Sequence, residues 1–123
     1  MMPYEKYHAW QTSHALALDI YRSTEGWPNR ELYGLTAQTR RAALSVPTNI
    51  AEGSAKLGPR ELRRYLDIAL GSLSELSYLL RFSRDLGLLK GEEWQRLDVM
   101  RNRAGQQVWG LYRWAQQKAR TPS

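Results

Sequence analysis

The sequence contains no cysteine, a single phenylalanine and only two histidines. Without Cys there is no disulfide framework, no thiolate nucleophile and no Cys-based zinc site. With histidine confined to His8 and His14, no Ser–His–Asp arrangement is visible around Ser45 or Ser72. His14 also has no second His or Cys at ligand spacing, so it reads as a packed, hydrogen-bonded side chain rather than a ligand. No run of 18 apolar residues occurs, and residues 1–8 lack the apolar core of a signal peptide. A soluble, cytoplasmic protein with no membrane partner is therefore expected. There is no glycine-rich phosphate loop, no repeat, no low-complexity segment and no convincing β-strand.

What is present is basic charge and helical periodicity. At 123 residues the chain fits one domain spanning residues 1–123, able to bury a core without disulfides or metal. Lys and Arg number 18 against 12 Asp and Glu, a net of +6. Residues 1–26 carry a net of −1 while residues 90–123 carry +4. Such asymmetry points to a polyanion such as RNA or DNA, although soluble proteins are also basic for no specific reason.

Four helices are read from the spacing of apolar residues. The first covers residues 8–26, with Trp10, His14, Ala17, Tyr21 and Thr24 on the core face, Leu16 and Ile20 widening it, and Gly26 as its left-handed cap. A second runs from about residue 35 to 56, with Pro47 expected to kink it or loosen a turn. The third, about residues 59–86, carries the seam Leu62, Leu66, Ala69, Leu73, Leu76 and Leu80. Beside it lies a second seam: Tyr65, Ile68, Ser72, Glu75, Leu79, Phe82 and Leu86. A fourth covers about residues 92–119, with Trp94, Leu97, Ala104, Val108, Leu111 and Ala115 inward and Trp109, Tyr112 and Trp114 extending the aromatic surface. Residues 120–123 are expected to be disordered. The short Gly58-Pro59 link suggests antiparallel neighbours, hence an all-α, up-down four-helix bundle. Two seams on one helix, with 13 aromatic side chains to hide, imply a homo-oligomer.

Polar residues add a pattern of their own. Gln38, Arg41, Ser45, Asn49 and Glu52 step by three or four, forming one stripe on the second helix. This stripe is either a plain solvated face or, with Ser72 and Glu75 opposite, a buried network joining the second and third helices or a subunit boundary, Arg41 supplying donors to the carboxylates. Two inward carboxylates also raise di-iron chemistry and a small hydrolase using Glu52 and Glu75. The di-iron site requires Glu-x-x-His, and neither glutamate has it, so no metal or other cofactor is expected. The hydrolase finds no supporting cleft. Arg40, Lys56, Arg60, Arg63 and Arg64 are the candidate nucleic-acid contacts: Arg40 belongs to a first basic cluster with Arg41, and the other four gather near the second inter-helix turn, a compact patch suited to phosphate oxygens. Their alternative is a solvated face with local pairs such as Arg60 or Arg64 with Asp67. A DNA-reading helix-turn-helix is disfavoured by long helices and a tight hairpin turn.

Three segments carry a family resemblance: Gln38-Thr39-Arg40-Arg41-Ala42-Ala43, Ser45-Val46-Pro47-Thr48-Asn49-Ile50-Ala51-Glu52-Gly53 and Ile68-Ala69-Leu70-Gly71-Ser72-Leu73-Ser74-Glu75-Leu76. Through them the chain, from Trp10 to about Leu111, resembles the 23S rRNA intervening-sequence proteins, also described simply as four-helix-bundle proteins. Thr48 stands where that family often has Ala, and Leu70 where Arg or Lys is frequent, which puts a basic contact at that position in doubt. The resemblance implies an antiparallel bundle assembled as a homopentameric ring, with no established enzymatic activity; some members are encoded in insertions within 23S rRNA genes. A similar bundle, the accessory variability protein of diversity-generating retroelements, binds a reverse transcriptase and nucleic acid through a basic pentameric barrel. By analogy alone it suggests RNA or DNA, or a polymerase-type protein, as partner.

Overall fold

A computed structural model describes residues 1–120, and within them every regular element is helical. A 3-10 turn, Pro3–Lys6, precedes α1 (His8–Ser23); α2 spans Ala37–Ser54, α3 Pro59–Asp85 and α4 Gly91–Arg120. Helix α4 includes Arg120, the first residue of the tail expected to be disordered; the rest of that tail, residues 121–123, lies outside the described residues.

The helices pack in a closed circuit, α1 on α2, α2 on α3, α3 on α4 and α4 back on α1. The core inside this circuit is aliphatic. Leu16 and Ile20 of α1 meet Val46 and Ile50 of α2, Leu66, Leu76 and Leu80 of α3, and Leu97 and Val108 of α4, all fully buried. All six residues of the first α3 seam are buried. In α4, Trp94 and Leu111 sit at the core's edge and Leu97, Ala104, Val108 and Ala115 within it.

Two expectations for α1 need correction. Its core stripe is Ala9, Ser13, Leu16, Ala17 and Ile20, which places Trp10 at the margin and leaves His14 and Tyr21 exposed. His14 instead stacks on Trp10, with ring centroids 4.8 Å apart and planes 7° from parallel. The helix also stops at Ser23 rather than at Gly26. Thr24 closes it by back-bonding, its hydroxyl donating to the Ile20 carbonyl at 2.8 Å and its N–H to the same oxygen at 3.0 Å.

Helix α2 runs through Pro47 without interruption, so the expected loosened turn is absent there. Pro47 is buried in the packed interior, and tertiary contacts outweigh the one backbone bond it removes. The irregular backbone lies earlier, in a π-type turn, Leu32–Thr36, where Gly34 takes φ −110° and ψ −105°. At the other end α2 approaches α3 closely. A Cβ placed on Gly53 would lie 2.8 Å from Cβ of Tyr65, so only glycine fits.

Candidate nucleic-acid interface

Gly58, with φ of 87°, and Pro59 in the first turn of α3 reverse the chain within a few residues. That tight reversal sets Lys56 against the opening turns of α3. Tyr65 gathers two cations, the Lys56 ammonium 5.6 Å and the Arg64 guanidinium 5.2 Å from its ring centroid. Around the same turns, Arg60, Arg63 and Arg64 line a groove of about 450 Å³ together with Glu61, Asp67 and, from α4, Tyr112.

Two carboxylates share this groove with the three arginines, but only one of them pairs closely. Arg64 Nη2 lies 3.4 Å from Glu61 Oε2, with both side chains well exposed, a pair worth little in water. The pairing of Arg60 or Arg64 with Asp67 does not form. Among the described residues Arg60 and Arg63 make neither a hydrogen bond nor an ion pair, so their guanidinium groups stand open to an incoming oxyanion.

Arg40 does not join this cluster. It sits near the start of α2, about 20 Å along the helix axis from Lys56. Its Nε donates to Thr24 Oγ1 at 2.8 Å, its Nη2 to the Tyr21 carbonyl at 3.2 Å, and its guanidinium covers the Tyr21 ring at 4.9 Å. This arginine pins the α1–α2 connection with two of its five N–H donors.

The polar stripe is smaller and wetter than the network expected. Ser45 and Ser72 share a hydrogen bond of 2.8 Å between α2 and α3, and Asn49 Nδ2 donates to Ser45 Oγ at 3.0 Å and to its carbonyl at 2.8 Å. These three are half-buried. Arg41, Glu52 and Glu75 are exposed in the protomer, and no bond joins them to the serines or to one another. Glu75 lines a groove between α2 and α3 with Gln38, Arg41, Ser45 and Ser72, whereas Glu52 lines another with Trp10, His14 and Thr48. Lying in separate grooves, the two carboxylates do not form a catalytic pair.

Aromatic residues complete the basic groove; the sequence set Tyr65 on the second α3 seam and Trp109 and Tyr112 on an extended aromatic surface, not among the nucleic-acid contacts. Tyr65 lies beneath two cations, and Tyr112 lines the groove while stacking on Trp109 at 5.4 Å between centroids and 10° between planes. Two local signals mark them, Arg64-Tyr65 in direct succession and the aromatic pair Trp109 and Tyr112 one helical turn apart. Among the described residues no group of three or more His, Asp or Glu could hold a metal ion, and no helix is long and apolar enough to cross a membrane.

An all-helical bundle with an arginine-lined surface groove, and no joined catalytic pair in its carboxylates, defines a class of small helical proteins. Within that class, residues 5–110 match the family model of the 23S rRNA-intervening sequence protein. The match spans most of the chain, which therefore belongs to that family. No curated protein matches the sequence.

Proposed function

We propose that this protein is a non-enzymatic, cytoplasmic, self-assembling bundle that holds RNA or DNA by charge, its helices antiparallel and its assembly a ring of five. Antiparallel order is supported by contacts pairing the end of one helix with the beginning of another: Asp19 with Arg96 across α1 and α4, and Thr24 with Arg40 across the α1–α2 connection. The observation that carries the nucleic-acid reading is the convergence of Lys56, Arg60, Arg63 and Arg64 around one turn, two of the arginines without a protein partner. Phosphate oxygens satisfy such guanidinium groups, and the released counterions supply the driving force.

The test is fluorescence anisotropy with RNA and DNA oligomers of unrelated sequence. Affinity should fall steeply between roughly 50 and 300 mM salt, and replacing all four basic residues by Ala should weaken binding and flatten the salt slope. Binding indifferent to salt or to the fourfold replacement would rule out this surface.

A second reading, a scaffold that recruits a polymerase-type protein, draws on a different feature. Tyr33, 92% exposed in the turn before α2, and its neighbour Leu32 offer apolar surface away from the basic groove. A protein partner would cover such side chains. Binding of nucleic acid that tracks the four basic residues favours the first reading over this one.

A further inference from the structure

The groove between α3 and α4 is more than a charged surface. Trp109 lies on the solvent side of α4 and keeps 49% of its surface open, an unusual place for the largest apolar side chain. One partner is already fixed: Tyr112 stacks on it nearly parallel, at 10° and 5.4 Å, and Tyr112 is itself packed against the core. The platform is therefore rigid from below and open from above. Tyr112 also lines the groove that Arg60, Arg63 and Arg64 border. Arg113, one turn beyond Trp109, is exposed on the same side of α4 and has no partner among the described residues.

We infer that Trp109 and Tyr112 form a stacking platform for unpaired bases, so that the groove selects single-stranded nucleic acid, with Arg60, Arg63 and Arg113 taking the flanking phosphates. The inference rests on the electrostatic reading above and deepens it. Charge alone binds single strands and duplexes alike. A base in a duplex already has its faces covered by neighbouring base pairs, whereas an unpaired base offers a π-face that any aromatic ring can accept regardless of sequence. Trp109 against another protein surface would be less favourable, because the unpaired arginines beside it would have to be desolvated without compensating charge. Polynucleotide supplies both complements at once, rings for the platform and phosphates for the guanidiniums.

Anisotropy with labelled oligo(U), oligo(dT) and a blunt duplex of equal length, about 12 nucleotides, tests this on the full chain. Trp109→Ala should weaken single-strand binding about tenfold for both sugars, while leaving duplex affinity and the salt slope unchanged. Trp109→Phe, which keeps a ring, should retain most of the affinity, and Trp109→Gln should repeat the alanine loss. Arg60→Ala with Arg63→Ala should instead weaken all three ligands and lower the salt slope by about one per arginine engaged. Unchanged single-strand binding in both Trp109→Ala and Trp109→Gln overturns the platform and spares the electrostatic reading. An equal loss on duplex and single strand likewise overturns it. No binding of any oligomer by the unmodified protein overturns both readings together.

Discussion

At the scale of single residues, the strongest polar link between helices is the pair that ties α1 to α4. Arg96 grips Asp19 with two hydrogen bonds of 2.9 Å, from Nε to Oδ2 and from Nη2 to Oδ1, and Nη2 also donates to Ser23 Oγ at 3.3 Å. The Arg96 guanidinium beside Asp19 holds its carboxyl below the ordinary carboxylate value, against the opposing effect of partial burial. Because the folded-state value is lowered, the unfolded chain binds the proton more readily in the window between the two values. The pair's contribution is therefore complete above the ordinary carboxylate range and is lost as pH falls through it toward the lowered value. Arg96 keeps 49% exposure, so solvent screening limits the pair to about 0.5–1 kcal/mol. Arg96→Ala should cost that amount in urea denaturation at pH 7, and the two proteins should converge as pH falls below the lowered Asp19 value, where the carboxyl is protonated in both states. A constant difference across that range would mean the cost comes from lost packing. The partners lie 77 residues apart, which is why no local pattern reveals them.

Among elements, the contact of α2 with α3 rests on one missing side chain. The Cβ of Gly53→Ala would stand 2.8 Å from Tyr65 Cβ and 3.2 Å from Leu62 Cδ1, and Tyr65 Cβ is fixed to its own backbone and cannot swing away. The helices must part to admit it, at about 1–3 kcal/mol for overpacking, offset by the helix-favouring gain of up to about 1 kcal/mol for alanine over glycine. A net loss of about 1–2 kcal/mol in chemical denaturation is expected; equal or greater stability would mean the helices separate freely. Periodicity carries no distance between elements, so the close approach at Gly53 is not legible from the sequence. The α3 seam was legible for the opposite reason: Leu62 through Leu80 fall so regularly at fours and threes that only one face can be buried, and it is. In α1 the choice between Trp10 with His14 and Ala9 with Ser13 turns the stripe by one residue. Small residues sit inside there because α2 and α4 press close, and the rings stack outside. For the site, the Lys56 to Arg64 cluster was visible because one turn holds it. Arg40 stands apart because the length of α2 separates it from that turn, and the stripe that holds Glu52 reads the same whether it is solvated, buried between helices or set at a subunit boundary.

For the whole molecule, the second seam of α3 is covered at Leu79 and open at Ile68, Phe82 and Leu86. Ile68 and Phe82 are 47% and 44% exposed, Leu86 and Tyr78 more so, and all stand on the outer side of α3. This ridge is matched by a hollow elsewhere on the same chain, a groove of about 470 Å³ between α1 and α2 lined by Tyr4, Trp10, His14, Leu44 and Pro47 among others. Ridge and groove are different surfaces, so a copy docked one into the other leaves its own groove free for the next. Repeating that head-to-tail contact closes a ring when the rotation permits. Multi-angle light scattering of the intact chain at micromolar concentration should therefore give a closed oligomer, a pentamer on the family's pattern. Ile68→Asp together with Phe82→Asp should shift it to a monomer, since each carboxylate would be desolvated against apolar neighbours. Both positions are exposed in the protomer, so the folded bundle should survive by circular dichroism with little change in melting temperature. An unmodified chain that runs as a monomer would remove the ring, and an assembly untouched by the double replacement would place its contacts on another face.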